Sequence, residues 1–187
     1  MVSGCQETGF RSGLGAVRRR GILSRSVGVA YDREEERMLK GIDHRLNAEV
    51  LACLRELGHG DVIIVADANF PSASVAKATV LGQLLRMENL TAGEAVNAIL
   101  SVLPLDTFVD DFAGRMEVDG DPTGVPPVQA EVQVAIDRAE GRPRPMVSIE
   151  RFAFYDIARK AYAVIQTGER RFYGCFMLRA GVIPPDA

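Results

Sequence analysis

The chain has 187 residues and a mass of 20.3 kDa, enough for one ordinary domain with a real hydrophobic core. Apolar residues make up 47% and charged residues 25%, the balance of a soluble globular protein, and a net charge of -3 argues against nucleic acid as a ligand. Cys5, Cys53 and Cys175 show no Cys-x-x-Cys spacing and have only His44 and His59 for company, which disfavours a disulfide framework and a histidine-rich metal centre alike.

Residues 1–37 are rich in Gly, Ser and Arg and end in the charged run 32–37, so they read as a flexible extension or as the product of a misassigned upstream start. Arg18, Arg19 and Arg20 are not followed by the apolar stretch of a secretory signal. Uninterrupted apolar runs such as Val62 to Ala66 are far short of the roughly 18 residues a bilayer requires. The expectation is a cytoplasmic protein with reduced thiols and no membrane partner, folded from Met38 onward.

In chain order, the first element is a helix after Asn47, with Val50, Leu51, Leu54 and Leu57 on one face, Asn47 as N-cap and Gly58 at the C-terminal cap. Val62–Ala66 is a continuous run dominated by β-branched residues, suited to a strand covered on both faces. A helix leading straight into a buried strand implies an α/β domain. Residues 69–74 read as a loop and Leu84–Met87 as a strand. Thr91-Ala92-Gly93-Glu94 matches a capping box, opening a helix with Ala95, Ile99 and Val102 on one face that stops before Pro104.

Val118–Pro127 reads as a loop and Val128–Ala139 as a helix ending at the breaker 141–145, with a short strand over Met146–Ile149. Residues 150–161 place Phe154, Ile157, Ala158 and Ala161 on one helical face and Arg151, Tyr155 and Arg159 on another. Tyr162–Gln166 and Phe172–Leu178 read as strands of a hairpin turning at 167–170.

Chemistry concentrates around the Val62–Ala66 strand, with Gly58-His59-Gly60-Asp61 before it and Asp67-Ala68-Asn69-Phe70-Pro71 after it. An imidazole between glycines is uncrowded and exchanges protons near neutral pH, and Asp61 or Asp67 is placed to orient it. The plainer alternative makes Gly58 a helix cap, His59 a surface residue and Asp67 a turn former. Arg151 and Tyr155, at i and i+4, offer a guanidinium and a phenol to the hydroxyls of a polar ligand, or simply form a solvated face. No Gly-x-Ser-x-Gly elbow is present, and Cys175 reads as a packed thiol rather than a nucleophile.

From Met38 to Ile183 the chain resembles the family of L-fucose mutarotases and D-ribose pyranases. The likeness lies in Met38-Leu39-Lys40-Gly41-Ile42, 58–61, 67–71, Pro104-Leu105-Asp106-Thr107, 149–155, and Thr167-Gly168-Glu169 leading to Tyr173-Gly174, in that order. Gly60 and Phe70 resemble the fucose branch, where the ribose branch tends to carry Thr and Leu. The resemblance implies a single compact α/β domain and His59 as the catalytic residue. Sugar contacts are implied at Asp67, Asp106, Arg151, Tyr155 and the strand Tyr173-Gly174-Cys175. No metal or other cofactor is implied, and the partners are a monosaccharide and further copies of the chain, in a decameric ring of stacked pentamers with sites near subunit boundaries. The activity implied is an isomerase interconverting the anomers of L-fucose or a related sugar, with a pyranase or a non-catalytic sugar-binding protein as rivals. Three departures stand out: Cys175 replaces the family's usual Asn, His44 replaces a common Pro, and residues before Met38 are extra. A thiol is a poorer hydrogen-bonding group than a carboxamide, so Cys175 bears most directly on the sugar.

Overall fold

The structure, a computed structural model, describes residues 39–185. The expectation for residues 1–37 therefore lies outside the described residues, as does Met38. Six strands form one sheet, β1 (Val62–Ala66), β2 (Leu84–Met87), β3 (Ala113–Met116), β4 (Val147–Ile149), β5 (Ala163–Thr167) and β6 (Phe176–Arg179). Their order is β2-β5-β1-β6-β3-β4, parallel except for β6, which pairs antiparallel with both β1 and β3.

Helices α1 (Ala48–Glu56), α3 (Ala92–Leu100) and α4 (Pro127–Glu140) cover one face, packing Val50, Ile99 and Ile136 with Ile63, Val65, Phe176 and Leu178. The short α2 (Ser72–Ala76) and α5 (Arg151–Lys160) cover the other, where Val75, Phe154 and Ala158 meet Ile64, Ala66, Val164 and Met177. Alternate side chains of β1 thus enter opposite cores, and Ile63 to Ala66 have no exposed surface. This is the α/β architecture expected for a strand apolar at every position.

The local signals act where the sequence places them. Asn47 accepts a hydrogen bond from the Val50 amide, and Thr91 and Glu94 close a reciprocal capping box. The α1 terminus differs from expectation: the helix ends at Glu56 with an extended Leu57, and Gly58 belongs to the following turn, where its amide donates to the Asp61 carboxylate at 2.7 Å. The left-handed glycine cap occurs instead at Gly141, after α4. The end of the segment 69–74 read as a loop instead opens helix α2, Ser72–Ala76, which starts just after Pro71.

Two larger differences concern the sheet. Strand β3, Ala-Gly-Arg-Met, was not foreseen, because Ala, Gly and Arg lack the branched or aromatic bulk of a strand. It pairs between β4 and β6, where a Cβ at Gly114 would lie 2.3 Å from Ile149 Cδ1. Its Arg115 is buried, donating to the carbonyls of Gly124 and Pro122 and to Gln129 Oε1.

The expected hairpin is the second difference. β5 and β6 do not pair; β1 lies between them, parallel to one and antiparallel to the other. The connector runs from Gly168 to Cys175 and steps across the end of β1, held by Glu169. The Glu169 carbonyl accepts from the Ala68 amide, and its buried carboxylate takes the amides of Ala92, Arg170 and Arg171 and the Arg171 guanidinium. Gly168 is required there, since a Cβ would sit 2.1 Å from the Glu88 carbonyl oxygen. A fully apolar β1 gains more from two strand neighbours than a hairpin would leave it.

Candidate functional site

Because every strand but β6 runs the same way, the sheet has a carboxyl edge and an amino edge, and the implied site residues divide between them. At the carboxyl edge a cavity of about 370 Å³ gathers the loop after β1 (Asp67, Asn69, Phe70), the end of β3 and its following loop (Met116, Asp119), the first turns of α5 (Arg151, Tyr155) and the segment entering β6 (Phe172, Tyr173, Cys175). That volume lies in the range of about 300–1,000 Å³ typical of small-molecule sites, and the carboxyl ends of strands are where open α/β sheets bind ligands.

Asp67 organises this cavity. Its Oδ1 accepts from the amides of Asn69 and Phe70 at 2.9 and 3.0 Å, and its Oδ2 from the Gly174 amide at 3.2 Å and the Cys175 thiol at 3.5 Å. Four donors fill the usual acceptor positions of one carboxylate, and the side chain is buried. Gly174 permits this closeness, for a Cβ there would lie 3.2 Å from Asp67 Cβ and 2.9 Å from Glu169 Cγ. Tyr173, just before it, adopts a left-handed φ of 61°, which turns the chain into β6. Cys175 is buried, and that burial, together with the Asp67 charge, pushes its thiol pKa well up. It lines the cavity as a neutral thiol, with no thiolate to act as a nucleophile.

The side chains left open to a ligand are those of α5 and the β3–α4 loop. Arg151 Nη1 donates to Asp119 Oδ2 at 2.9 Å, and Asp119, with Tyr155 next, holds the guanidinium in its charged form. The Asp119 amide reaches the Tyr173 hydroxyl at 3.3 Å. Tyr155 stacks on Phe70 with ring centroids 5.1 Å apart, and Phe154 closes against Phe70 from beneath. An aromatic wall facing a guanidinium and a carboxylate suits a small polyhydroxylated molecule with an apolar face.

His59 and Asp106 are elsewhere. They lie at the amino edge, where His59 Nε2 is 3.1 Å from Asp106 Oδ2 and its ring meets Phe108 edge-on at 5.6 Å. Gly60, at φ 86°, bonds through its amide to the Ala180 carbonyl and closes the tight turn that carries the imidazole. Asp106 is buried, and its other oxygen accepts from the Phe108 amide at 2.9 Å. That amide first, and His59 after it, hold the Asp106 carboxyl below the ordinary carboxylate range. An ionised carboxylate only accepts, so in the neutral imidazole it is Nε2 that carries the proton and Nδ1 the lone pair. The imidazole is half-exposed.

The orienting carboxylate is therefore Asp106, and neither Asp61, tied to Gly58, nor Asp67 fills that role. Asp61 and Asp67 flank β1 at its two ends, about 20 Å apart at roughly 3.3 Å of rise per residue. One chain thus brings Asp67, Arg151, Tyr155, Tyr173, Gly174 and Cys175 together and leaves His59 and Asp106 at the opposite end. A second cavity of about 510 Å³ adjoins the histidine side, between Thr107–Phe112 and Arg142–Val147. Asp119 and Met116 escaped the sequence reading because β3 did; once that strand is recognised, the loop after it falls at the carboxyl edge.

The RbsD / FucU transport protein family matches residues 40–183. The chain is 40% identical to human fucose mutarotase over 148 residues, 78% of this chain and 94% of that protein. It is 39% identical to the zebrafish (Danio rerio) fucose mutarotase, covering 80% and 97% of the two chains. Among solved structures, the fucose mutarotase of Streptococcus pneumoniae in complex with L-fucose superposes with a TM-score of 0.70 at 34% identity, over 78% of this chain and all of that one. FucU from Bifidobacterium longum gives 0.71 at 41% identity, with coverages of 78% and 100%.

Proposed function

This chain belongs to the RbsD / FucU family, and from that premise we propose that it is an isomerase, a mutarotase interconverting the α and β anomers of L-fucose or a closely related monosaccharide. Its relatives named fucose mutarotase, one of them solved with L-fucose, support the reading. The observation that carries it is the pairing of a sugar-sized cavity lined by Arg151, Tyr155 and Asp119 with an exposed imidazole held by a buried carboxylate.

Anomer exchange needs only proton transfers. His59 Nδ1 takes the proton of the anomeric hydroxyl, the bond between the anomeric carbon and the ring oxygen breaks, and the imidazolium gives that proton to the ring oxygen, leaving His59 neutral. An open-chain aldehyde results. Rotation about the adjacent carbon–carbon bond turns its other face to the hydroxyl, and the same steps in reverse close the ring. Asp106 stabilises the imidazolium formed on the way, and a positioned acid–base group of this kind contributes about 10² to 10⁴ in rate. Arg151 and Tyr155 hold hydroxyls so that the ring stays in place while it opens.

A pyranose cannot reach both edges of one sheet, so the working site forms between copies, the His59 edge of one facing the cavity of another. Exposed hydrophobic groups flank both edges: Phe108 and Val109 beside the histidine, Phe152 and Phe172 beside the cavity. A closed ring, the decamer implied by the family resemblance, gives each cavity one histidine. The reaction is cytoplasmic and uses no cofactor in this reading; no described helix is long and apolar enough to cross a membrane.

Magnetisation-transfer NMR of anomer exchange on L-fucose, D-ribose and D-galactose, with His59→Ala at matched pH, tests the proposal. Acceleration on L-fucose that disappears in the variant is expected. Exchange between pyranose and furanose forms of D-ribose alone indicates a pyranase, and binding without acceleration of any sugar a non-catalytic sugar-binding protein.

A further inference from the structure

We propose that Asp119 is a specificity-determining residue: with Arg151 it reads one pair of adjacent sugar hydroxyls and turns anionic sugars away. This rests on the sugar-processing reading above. Both side chains line the carboxyl-edge cavity, and Arg151 Nη1 lies 2.9 Å from Asp119 Oδ2, leaving the other guanidinium N–H groups and Asp119 Oδ1 for a ligand. The loop is anchored, since the Asp119 amide reaches the hydroxyl of Tyr173, whose own backbone is fixed beside Asp67 through Gly174.

The chemistry of the pair selects its partner. A guanidinium only donates and a carboxylate only accepts, while a hydroxyl does both. Two neighbouring hydroxyls on a sugar ring have oxygens about one hydrogen bond apart, which matches the separation of the two charged groups. One hydroxyl can accept from Arg151 while the other donates to Asp119. Arg151 alone would accept any anion, and the Asp119 charge beside it opposes a phosphate or a sugar acid. Asp67 cannot take this part, because its acceptor positions are filled from within the chain. The ion pair is 44% and 54% exposed on its two sides, so a ligand displaces water from it at little cost.

The test compares wild type, Asp119→Ala and Asp119→Asn in anomer exchange of L-fucose and its 2-, 3- and 4-deoxy analogues, with galacturonate as an anionic competitor. Asp119→Ala should raise KM by roughly 10- to 100-fold, the scale of one hydrogen bond to a charged group, with kcat changed less than about threefold. One deoxy analogue should lose a similar factor with wild type and nothing further with the variant. Asp119→Asn, which keeps an acceptor oxygen, should recover part of the KM, and both variants should bind galacturonate more tightly than wild type. Deoxy losses that add to the Asp119→Ala loss, or an unchanged KM, overturn the proposal while leaving mutarotase activity intact. If wild type accelerates no sugar, the mutarotase reading fails, and the same panel is read as Kd by ligand-observed NMR, where non-additive losses uphold the Asp119 role and additive ones overturn it.

Discussion

The two edges of the sheet are built on opposite plans. At the carboxyl edge, four segments converge on one cavity, and the buried carboxylates Asp67 and Glu169 serve as knots that tie backbone amides together. At the amino edge, the buried carboxylate Asp106 reaches outward to a half-exposed imidazole. On the function proposed above, the first edge holds the ligand and the second moves the proton.

The largest effect that can break this division is on kcat. His59→Ala should lower it by about 10² to 10⁴ while sugar affinity at the cavity stays within about threefold. The decisive form of the experiment co-expresses His59→Ala with Arg151→Ala. Mixed oligomers should regain activity that neither variant shows alone, because some sites combine an intact edge from each; failure of two folded, co-assembled variants to complement would place both edges' functions outside a shared site.

Next in size is a stability effect at the carboxyl edge. The Arg171 guanidinium, together with backbone amides, lowers the Glu169 pKa from 4.5 to about 2. A carboxyl whose pKa is lower folded than unfolded stabilises the fold above its unfolded value, and that contribution drains away as pH falls from about 4.5 to about 2. Urea unfolding should show Glu169→Gln less stable by roughly 2–3 kcal/mol at pH 7, with the gap closing across that acid window. A pH-independent gap would mean that lost packing, not charge, causes the effect.

Arg151→Ala should raise KM by about 10- to 30-fold with little change in kcat, the loss of one charge-assisted contact to a hydroxyl. The smallest effect is expected from Asp106→Asn, about 3- to 10-fold in kcat, because the carboxamide can still accept from the Phe108 amide but no longer stabilises an imidazolium. An equal fall in affinity would instead indicate that Asp106 touches the sugar. These two results sharpen the assignment of binding to one edge and proton transfer to the other.

Much of this arrangement is legible in the chain. The caps at Asn47 and Thr91, the strands β1 and β2, and the helix bearing Arg151 and Tyr155 all follow from local rules acting within a few residues. Strand β3 is not, because Ala-Gly-Arg-Met lacks the bulk of a strand and pairs through the distant β4 and β6. With β3 unseen, Asp119 had no edge to belong to. The pairing of His59 with Asp106 was equally hidden, since 47 residues separate them and two nearer aspartates offered themselves.

By itself, the sequence determined the alternation of helices and buried strands, the presence of a uncrowded histidine ahead of β1, and the family to which those motifs belong. These depend on periodicity, capping and turn chemistry, which act over short distances. Only the tertiary structure decided that β1 separates β5 from β6, that Asp67 is consumed by its own loop, and that the imidazole and the cavity stand at opposite ends of a strand. Each of those outcomes depends on which distant backbone donors reach a buried carboxylate and which strands satisfy β1 on both sides, and no local pattern records that competition.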